Sequence, residues 1–265
     1  MQTDYIKCGN SAELLKDLPE SSVDLVVTSP PYDNLRDYKG YSFDFETIAK
    51  ELYRVIKQGG VVVWVVADGV ENGSETGNSF RQALYFKDIG FNIHDTMIWL
   101  KNSSAFPEFV RYSQVFEYMF ILSKGKPKTF NPIKDRVNVT AGTKIHGTRR
   151  QKNGTLKKVT HSGILEPFGA RFNVWTIPCE TCNDTGHPAV YPAQLARDHI
   201  ITWSNKGDLV LDCFLGSGTT AIEAYKLDRH YIGFEISQDY YNIACERLKL
   251  EKSQVNIFDV LKAES

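Results

Sequence analysis

Short runs rich in valine, isoleucine and aromatic residues recur along the chain, and the stretches between them change to a different period. The runs are Tyr5 to Cys8, Val23 to Thr28, Val61 to Asp68, Thr96 to Leu100, Glu117 to Leu122, Leu209 to Cys213 and Tyr231 to Glu235. Their length and β-branched content are those of strands. Between the first two, Ala12, Leu14, Leu15 and Leu18 fall on one helical face, and Phe45, Ile48, Ala49, Leu52 and Ile56 repeat the pattern until "KQGG" stops it. Parallel strands need crossovers, and helices alternate with the strands here. The pattern predicts an α/β fold with a mostly parallel sheet and helices on both faces. Phe80, Tyr85, Phe86 and Phe91 read as core packing, and no internal repeat is present.

The second run ends in an unusual way, with "TSPPY" at residues 28–32. Pro30 and Pro31 have no backbone N–H, and each restricts the residue before it to extended conformations, so the strand cannot pass directly into a helix. Such a stiff exit fixes the Ser29 hydroxyl, the nearby carbonyls and the Tyr32 ring in space, as a flat polar ligand would require. A rigid loop without a ligand is the plainer reading of the same stretch. Asp68 ends a later run at the edge where ligands gather in such sheets, although strand termination explains it equally well.

Composition changes the picture in one place. The 265 residues carry a net charge of −1 with 24% charged residues, as in an ordinary soluble protein. Between Lys124 and Phe172, however, twelve Lys and Arg stand against Asp135 and Glu166, a net of +10 that leaves −11 for the remainder. Within it, "GTKIHGTRRQKNGTLKK" has little apolar periodicity and reads as a loop or short hairpin. Such local charge favours a phosphate-facing insertion over a merely solvated one. The five cysteines are scattered and no targeting pattern opens the chain, which together predict reduced thiols and a cytoplasmic protein. The longest apolar run, residues 61–67, is too short to span a membrane.

The most informative stretch is "GDLVLDCFLGSGTTAIEAYKLDRHYIGFEIS", residues 207–237. Its order is strand, glycine loop, helix, strand, acid. Gly216 and Gly218 allow a tight turn and close backbone approach, and Thr219 or Thr220 can open the helix. Glu235 follows Gly216 by nineteen residues, a spacing that suits a carboxylate on ribose hydroxyls. Asp212 before the loop would repel a pyrophosphate and suits a ligand bearing positive charge and an amino group. S-adenosylmethionine has both.

Taken together, "TSPPY", "DCFLGSGTT", "GFEIS" and "HPAVYPAQLARDHI" (residues 187–200) resemble the β-class amino-group DNA methyltransferases, in which the catalytic motif precedes the cofactor motif. The resemblance covers most of the chain. It implies a Rossmann-like S-adenosylmethionine-dependent methyltransferase fold in circularly permuted order, with a catalytic half at residues 1–123, a target-recognition insertion at 124–172 and a cofactor-binding half at 173–265. It further implies that Ser29, Pro30, Pro31 and Tyr32 form the catalytic motif. Thr28, Asp212, Phe214, Gly216, Ser217, Gly218, Thr219 and Glu235 would line the cofactor, with His187 and Pro188 closing over its methionine part and Asn10, from "CGNSAELLKDLP", at its adenine edge. Arg149, Arg150, Lys157 and Lys158 would grip DNA phosphates.

The expected reaction follows from that resemblance. An exocyclic amine is a poor nucleophile because its lone pair is delocalised into the base, and the Ser29 hydroxyl and Pro30 carbonyl would accept its hydrogens and free that pair. Tyr32 would stack on the base flipped from duplex DNA. Serine at the head of "SPPY" is commoner among cytosine-N4 members of the family and aspartate among adenine-N6 members, so cytosine N4 is favoured, with adenine N6 as the alternative. An RNA or small-molecule methyltransferase and an idle DNA-binding protein are less favoured. A restriction endonuclease acting separately is a possible companion, and the oligomeric state stays open. Two distractions are set aside. Cys179 lies before the cofactor loop, whereas cytosine-C5 enzymes carry their Pro-Cys after it, and Cys179, Cys182 and His187 offer three ligands where structural zinc needs four. Cys213 reads as a small buried residue, and Tyr38 and Tyr41 as contacts to the base or as a cover over the cofactor.

Overall fold

The computed structural model describes residues 1–31, 43–102, 110–179 and 191–253, with only the backbone of Ile145, His146 and residues 159–162. Tyr32, Tyr38, Tyr41, Cys182, His187 and Pro188 lie outside the described residues. The strands in chain order are β1 (Tyr5–Cys8), β2 (Val23–Thr28), β3 (Ile56–Val66), β4 (Val70–Glu71), β5 (Ser74–Glu75), β6 (Asn92–Leu100) and β7 (Phe116–Ser123). They continue with β8 (Arg136–Val137), β9 (Lys144–Arg150), β10 (Leu156–Ile164), β11 (Phe168–Gly169), β12 (Val174–Thr176), β13 (Leu209–Asp212) and β14 (His230–Glu235). The helices are α1 (Ser11–Leu14), α2 (Phe45–Val55), α3 (Asn78–Asp88), α4 (Ala193–Trp203), α5 (Thr219–Lys226) and α6 (Gln238–Ser253).

Eight strands form the main sheet in the order β1-β14-β13-β2-β3-β7-β6-β12. All neighbours pair in parallel except β7, which runs antiparallel to both β3 and β6. Side-chain alternation sends apolar residues to two separate cores, as a sheet covered on both faces requires. Val62, Trp64, Leu122, Leu211 and Phe234 pack with the buried faces of α1, α2 and α3. Val61, Val63, Ile121, Val210 and Tyr231 pack with α4, α5 and α6. The strands entering both cores are nearly continuous valine, isoleucine and leucine, hence their legibility in the sequence.

Two expectations need correction. Ile56 belongs to β3 rather than to the helix before it, and "KQGG" is an irregularity inside that strand. The register passes from Val23↔Ile56 to Leu25↔Val61, so the extra residues bulge out while the flanking ones stay paired. Gly60 permits this because a Cβ there would lie 2.8 Å from the Asp24 carbonyl oxygen. Phe80 is not core: it is 48% exposed and packs edge-on against Tyr118, whereas Phe86 and Phe91 are buried and Tyr85 is half-buried. The helical period that places Phe86 inward turns Phe80 out.

Residues Pro132–Phe172 form a compact unit of their own, and the rest of the chain forms the other. The smaller unit holds two two-stranded ribbons, β8–β11 and β9–β10. None of its described side chains is buried. It is stitched instead by polar contacts, including the Arg171–Asp135 ion pair at 2.5 Å, an Asn138 side-chain bond to the Glu166 carbonyl at 2.8 Å, and the Arg136 guanidinium 4.5 Å from the Phe172 ring.

Gly60→Ala is expected to destabilise the protein by about 1–3 kcal/mol, the usual cost of overpacking, because the new methyl meets backbone that cannot swing away. The urea midpoint should fall, and an unchanged midpoint would show that β2 and β3 separate there freely.

Candidate active site

The two motifs are 184 residues apart in the chain and adjacent in space. β2 and β13 are parallel neighbours, with Leu25 beside Val210 and Val26 beside Leu211. From β13 the chain crosses to β14 on one side, and from β2 to β3 on the other. The strand order therefore reverses between β13 and β2, and in open α/β sheets ligands gather outside the carboxyl ends of the strands at such a point. The residues standing there are Thr28, Ser29, Pro30 and Asp212. Pro30 is buried, and Ser29 and Pro31 are half-buried.

Asp212 is 1% exposed and is the centre of a hydrogen-bonded cluster. Its Oδ1 accepts from Thr28 Oγ1 at 2.6 Å and from the Phe214 N–H at 3.0 Å. Its Oδ2 accepts from Thr220 Oγ1 at 2.6 Å and from Tyr191 Oη at 3.0 Å, and the Thr220 and Tyr191 hydroxyls also touch each other. Burial pushes the carboxyl above its ordinary value, against the pull of these donors on the charged form. Its oxygens are occupied by donors of the protein itself, which tie the end of β2, the glycine loop and Tyr191 together. Thr28, fully buried, is likewise spent on Asp212.

The glycine loop is held from several sides. Gly216 and Gly218 have φ of +54° and +94°, a left-handed region costly for other residues. At Gly218 a Cβ would also lie 3.0 Å from the Ala244 Cβ of α6. Glu235, 8% exposed, accepts from the Gly216 N–H through Oε2 and the Ser237 N–H through Oε1, both at 2.8 Å. Burial raises its carboxyl too. Ser217 is buried and accepts from Arg247, whose guanidinium reaches its carbonyl at 2.6 Å and its Oγ at 2.9 Å. Phe214 stands with its ring 5.5 Å from that of Phe43.

The N-terminal stretch completes this corner. The Gly9 N–H donates to the Glu235 carbonyl at 2.9 Å, and Ser11 Oγ donates to the Cys213 carbonyl. Asn10 is exposed between them and caps α1, accepting from the Ala12 N–H at 2.9 Å. Asn10, Phe214, Gly216 and Glu235 are therefore brought to one corner of the sheet edge. Arg149, Arg150, Lys157 and Lys158 lie in the separate unit, all exposed on β9 and β10. Cys213 is fully buried and its thiol is pushed far up by burial, which suppresses the nucleophilic thiolate. Among the described residues no group of three metal-ligating side chains occurs.

A nucleoside cofactor carrying an amino-acid moiety fits these groups. Thr219 Oγ1, at the first position of α5, is buried without a hydrogen-bond partner among the described residues. An orphaned donor beside a helix N-terminus suits a carboxylate. Sequence reasoning missed three residues of this site: Thr220 and Tyr191, which bind Asp212, and Arg247, which holds the loop. Thr220 and Tyr191 sit inside motifs already quoted, so their hydroxyls were a usable signal. Arg247 lies 30 residues from its partner in an ordinary charged helix and gave none.

The sequence model of the DNA methylase family, N6_N4_Mtase, matches residues 23–246. The orphan methyltransferase M.BamHII of Bacillus amyloliquefaciens is 56% identical over 242 residues, covering 88% of this chain and 91% of that protein. Among solved structures, the cytosine-N4-specific PvuII DNA methyltransferase has a TM-score of 0.68 at 22% identity, covering 93% of this chain and 86% of that one, a likeness of fold. The M1.HpyAVI–SAM complex has a TM-score of 0.61 at 25% identity, covering 92% and 98%.

The raised carboxyl of Asp212 has a pH consequence. The folded protein holds that proton more tightly than the unfolded chain. The group therefore adds stability below its ordinary value of 3.8, and that contribution is lost as the pH rises through the raised value. Asp212→Asn removes the titration. Urea unfolding at about pH 7 and about pH 4 should show wild type gaining on the variant at the lower pH, and a difference that stays constant would refute the assignment.

Proposed function

We propose that this chain, which belongs to the N6/N4 DNA methylase family and is a site-specific DNA methyltransferase using S-adenosylmethionine, methylates the N4 amine of cytosine. The observation that carries the cytosine reading is Ser29, a neutral hydroxyl at the head of the motif, placed at the carboxyl end of β2 beside the cofactor strand. A hydroxyl and the Pro30 carbonyl can accept both hydrogens of an amine, freeing its lone pair. Tyr32 stacks on the base once it has left the duplex, offsetting part of an unstacking cost of a few kcal/mol.

Bound S-adenosylmethionine supplies an electrophilic methyl on a sulfonium. The chain's own residues then have to align and polarise the amine. Thr219 and the α5 N-terminus hold the amino-acid carboxylate, Glu235 faces the ribose, and Asn10 and Phe214 border the adenine. His187 and Pro188 close the methionine end. Thr28 and Asp212 position both motifs from beneath. The reaction uses no cysteine nucleophile. Methylation at one sequence would protect DNA from a restriction endonuclease that cuts there.

Arg149, Arg150, Lys157 and Lys158 bind DNA phosphates in this reading. The unit that carries them holds nine Lys and Arg against Asp135 and Glu166. Replacing the four by glutamine should weaken DNA binding and flatten its salt dependence by a slope of about 0.9 for each lost phosphate contact, with cofactor affinity untouched. An unchanged slope would place the DNA surface elsewhere.

Ser29→Ala should lower kcat by about 100-fold or more while sparing cofactor and DNA affinity, since only an acceptor used in the transition state is lost. Mass spectrometry of digested product DNA from the wild-type enzyme decides the base. N4-methylcytosine is the expected product, and N6-methyladenine alone would overturn the cytosine reading.

A further inference from the structure

Over residues 147–158 the β9–β10 ribbon buries neither of its faces. Residues 147–158 are exposed throughout, and the two strands pair only with each other. A lone two-stranded hairpin is marginal in water. This one is weakened further, because Lys157 stands directly opposite Arg149 and like charges so placed repel. The sequence retains a ribbon that the protein alone does not favour, which points to an anionic partner.

The distribution of charge describes that partner's shape. Arg149 and Lys157 are partners in register and share one face, while Arg150, Leu156, Thr148 and Lys158 share the other. Over residues 147–158 each face thus carries two cations. At the end of the ribbon, the Gln151 N–H donates to the Thr155 carbonyl at 2.8 Å and the Gly154 N–H to the Gln151 carbonyl at 2.9 Å. Asn153 Oδ1 accepts from the Thr155 N–H at 3.1 Å and Oγ1 at 2.7 Å. This closed turn carries Gln151 and Lys152, both exposed.

We infer that the ribbon enters the major groove of duplex DNA tip first, its two faces against the two phosphate walls and Gln151 and Lys152 at the base edges. This rests on the reading of the unit as a DNA surface. The major groove, about 12 Å wide, admits a two-stranded ribbon, and the minor groove, about 6 Å wide, does not. Double-stranded RNA is excluded as well, since its major groove is too narrow and deep for side chains to read. Docking with one face down would leave the two cations of the other face turned away from phosphate, whereas tip-first entry uses all four. A glutamine amide matches the N6 and N7 of adenine, and a lysine ammonium matches the O6 and N7 of guanine.

The test uses the full chain with S-adenosylmethionine and a random-sequence duplex library, sequencing the methylated products. The Gln151→Ala/Lys152→Ala variant changes only exposed side chains, and circular dichroism with cofactor titration confirms that it is folded. Its methylated sequence should lose discrimination at one or more base pairs by about 5- to 150-fold. Lys157→Ala/Lys158→Ala should keep the wild-type sequence but flatten the salt dependence by about 1.8. Duplexes of the selected sequence carrying 7-deazapurines, which lack the major-groove N7, should bind wild type more weakly and the tip variant no more weakly than before. An unchanged sequence preference in the tip variant, or wild-type indifference to 7-deazapurines, would overturn the groove assignment. If the paired-lysine variant instead kept full affinity and an unchanged salt slope, the DNA-surface reading itself would fail.

Discussion

Thr28 at the end of β2, Thr220 in the first turn of α5 and Tyr191 before α4 all direct their hydroxyls to Asp212. A buried carboxylate left alone would cost several kcal/mol, and it persists here because each oxygen meets donors. Those donors come from three segments widely spaced in the chain. The catalytic strand, the glycine loop and the segment leading into α4 thus share one acceptor, and displacement of any of them would leave the others with an unmet buried group. The relative placement of the Ser-Pro-Pro turn after β2 and the glycine loop after β13 depends on this contact.

Topology makes the contact possible. Parallel pairing of β2 with β13 brings their carboxyl ends level, and the chain diverges there to β3 on one side and β14 on the other, the place where open α/β sheets gather ligands. The surrounding sheet, with its two separately packed cores, keeps these strand ends in register. Glu235 continues the same design one strand along, where its carboxylate ties β14 to the turn at Gly216. In this arrangement acidic side chains fix backbone geometry around the glycine turn, and the buried hydroxyl of Thr219 has no hydrogen-bond partner among the described residues.

The sheet was legible because its strands are buried on both faces and therefore nearly uniform in apolar character. The turn after β13 was legible because two closely spaced glycines between a strand and a helix, with an acid at the next strand end, have few other uses together. Ile56 was misread since one apolar residue at a helix–strand junction satisfies either period, and only the pairing with Val23 selects the strand. Phe80 was misread because aromatic content suggests burial while the direction of one side chain on a helix follows from its neighbours. The roles of Asp212 and Arg247 were hidden for a different reason. Each depends on partners that come together only in the folded sheet; the hydroxyls around Asp212 stood in motifs whose pairing the chain order does not reveal, and Arg247 stood in no motif at all.

The backbone enters and leaves the smaller unit through adjoining residues, with the Arg171 N–H donating to the Ile133 carbonyl at 2.9 Å. To the rest of the polypeptide it is a loop whose ends are already joined. The Thr28–Asp212 contact and the glycine turn lie wholly within the larger unit. Substitution can therefore rewrite the surface of this unit in a lineage while the packing of the two cores is inherited unchanged.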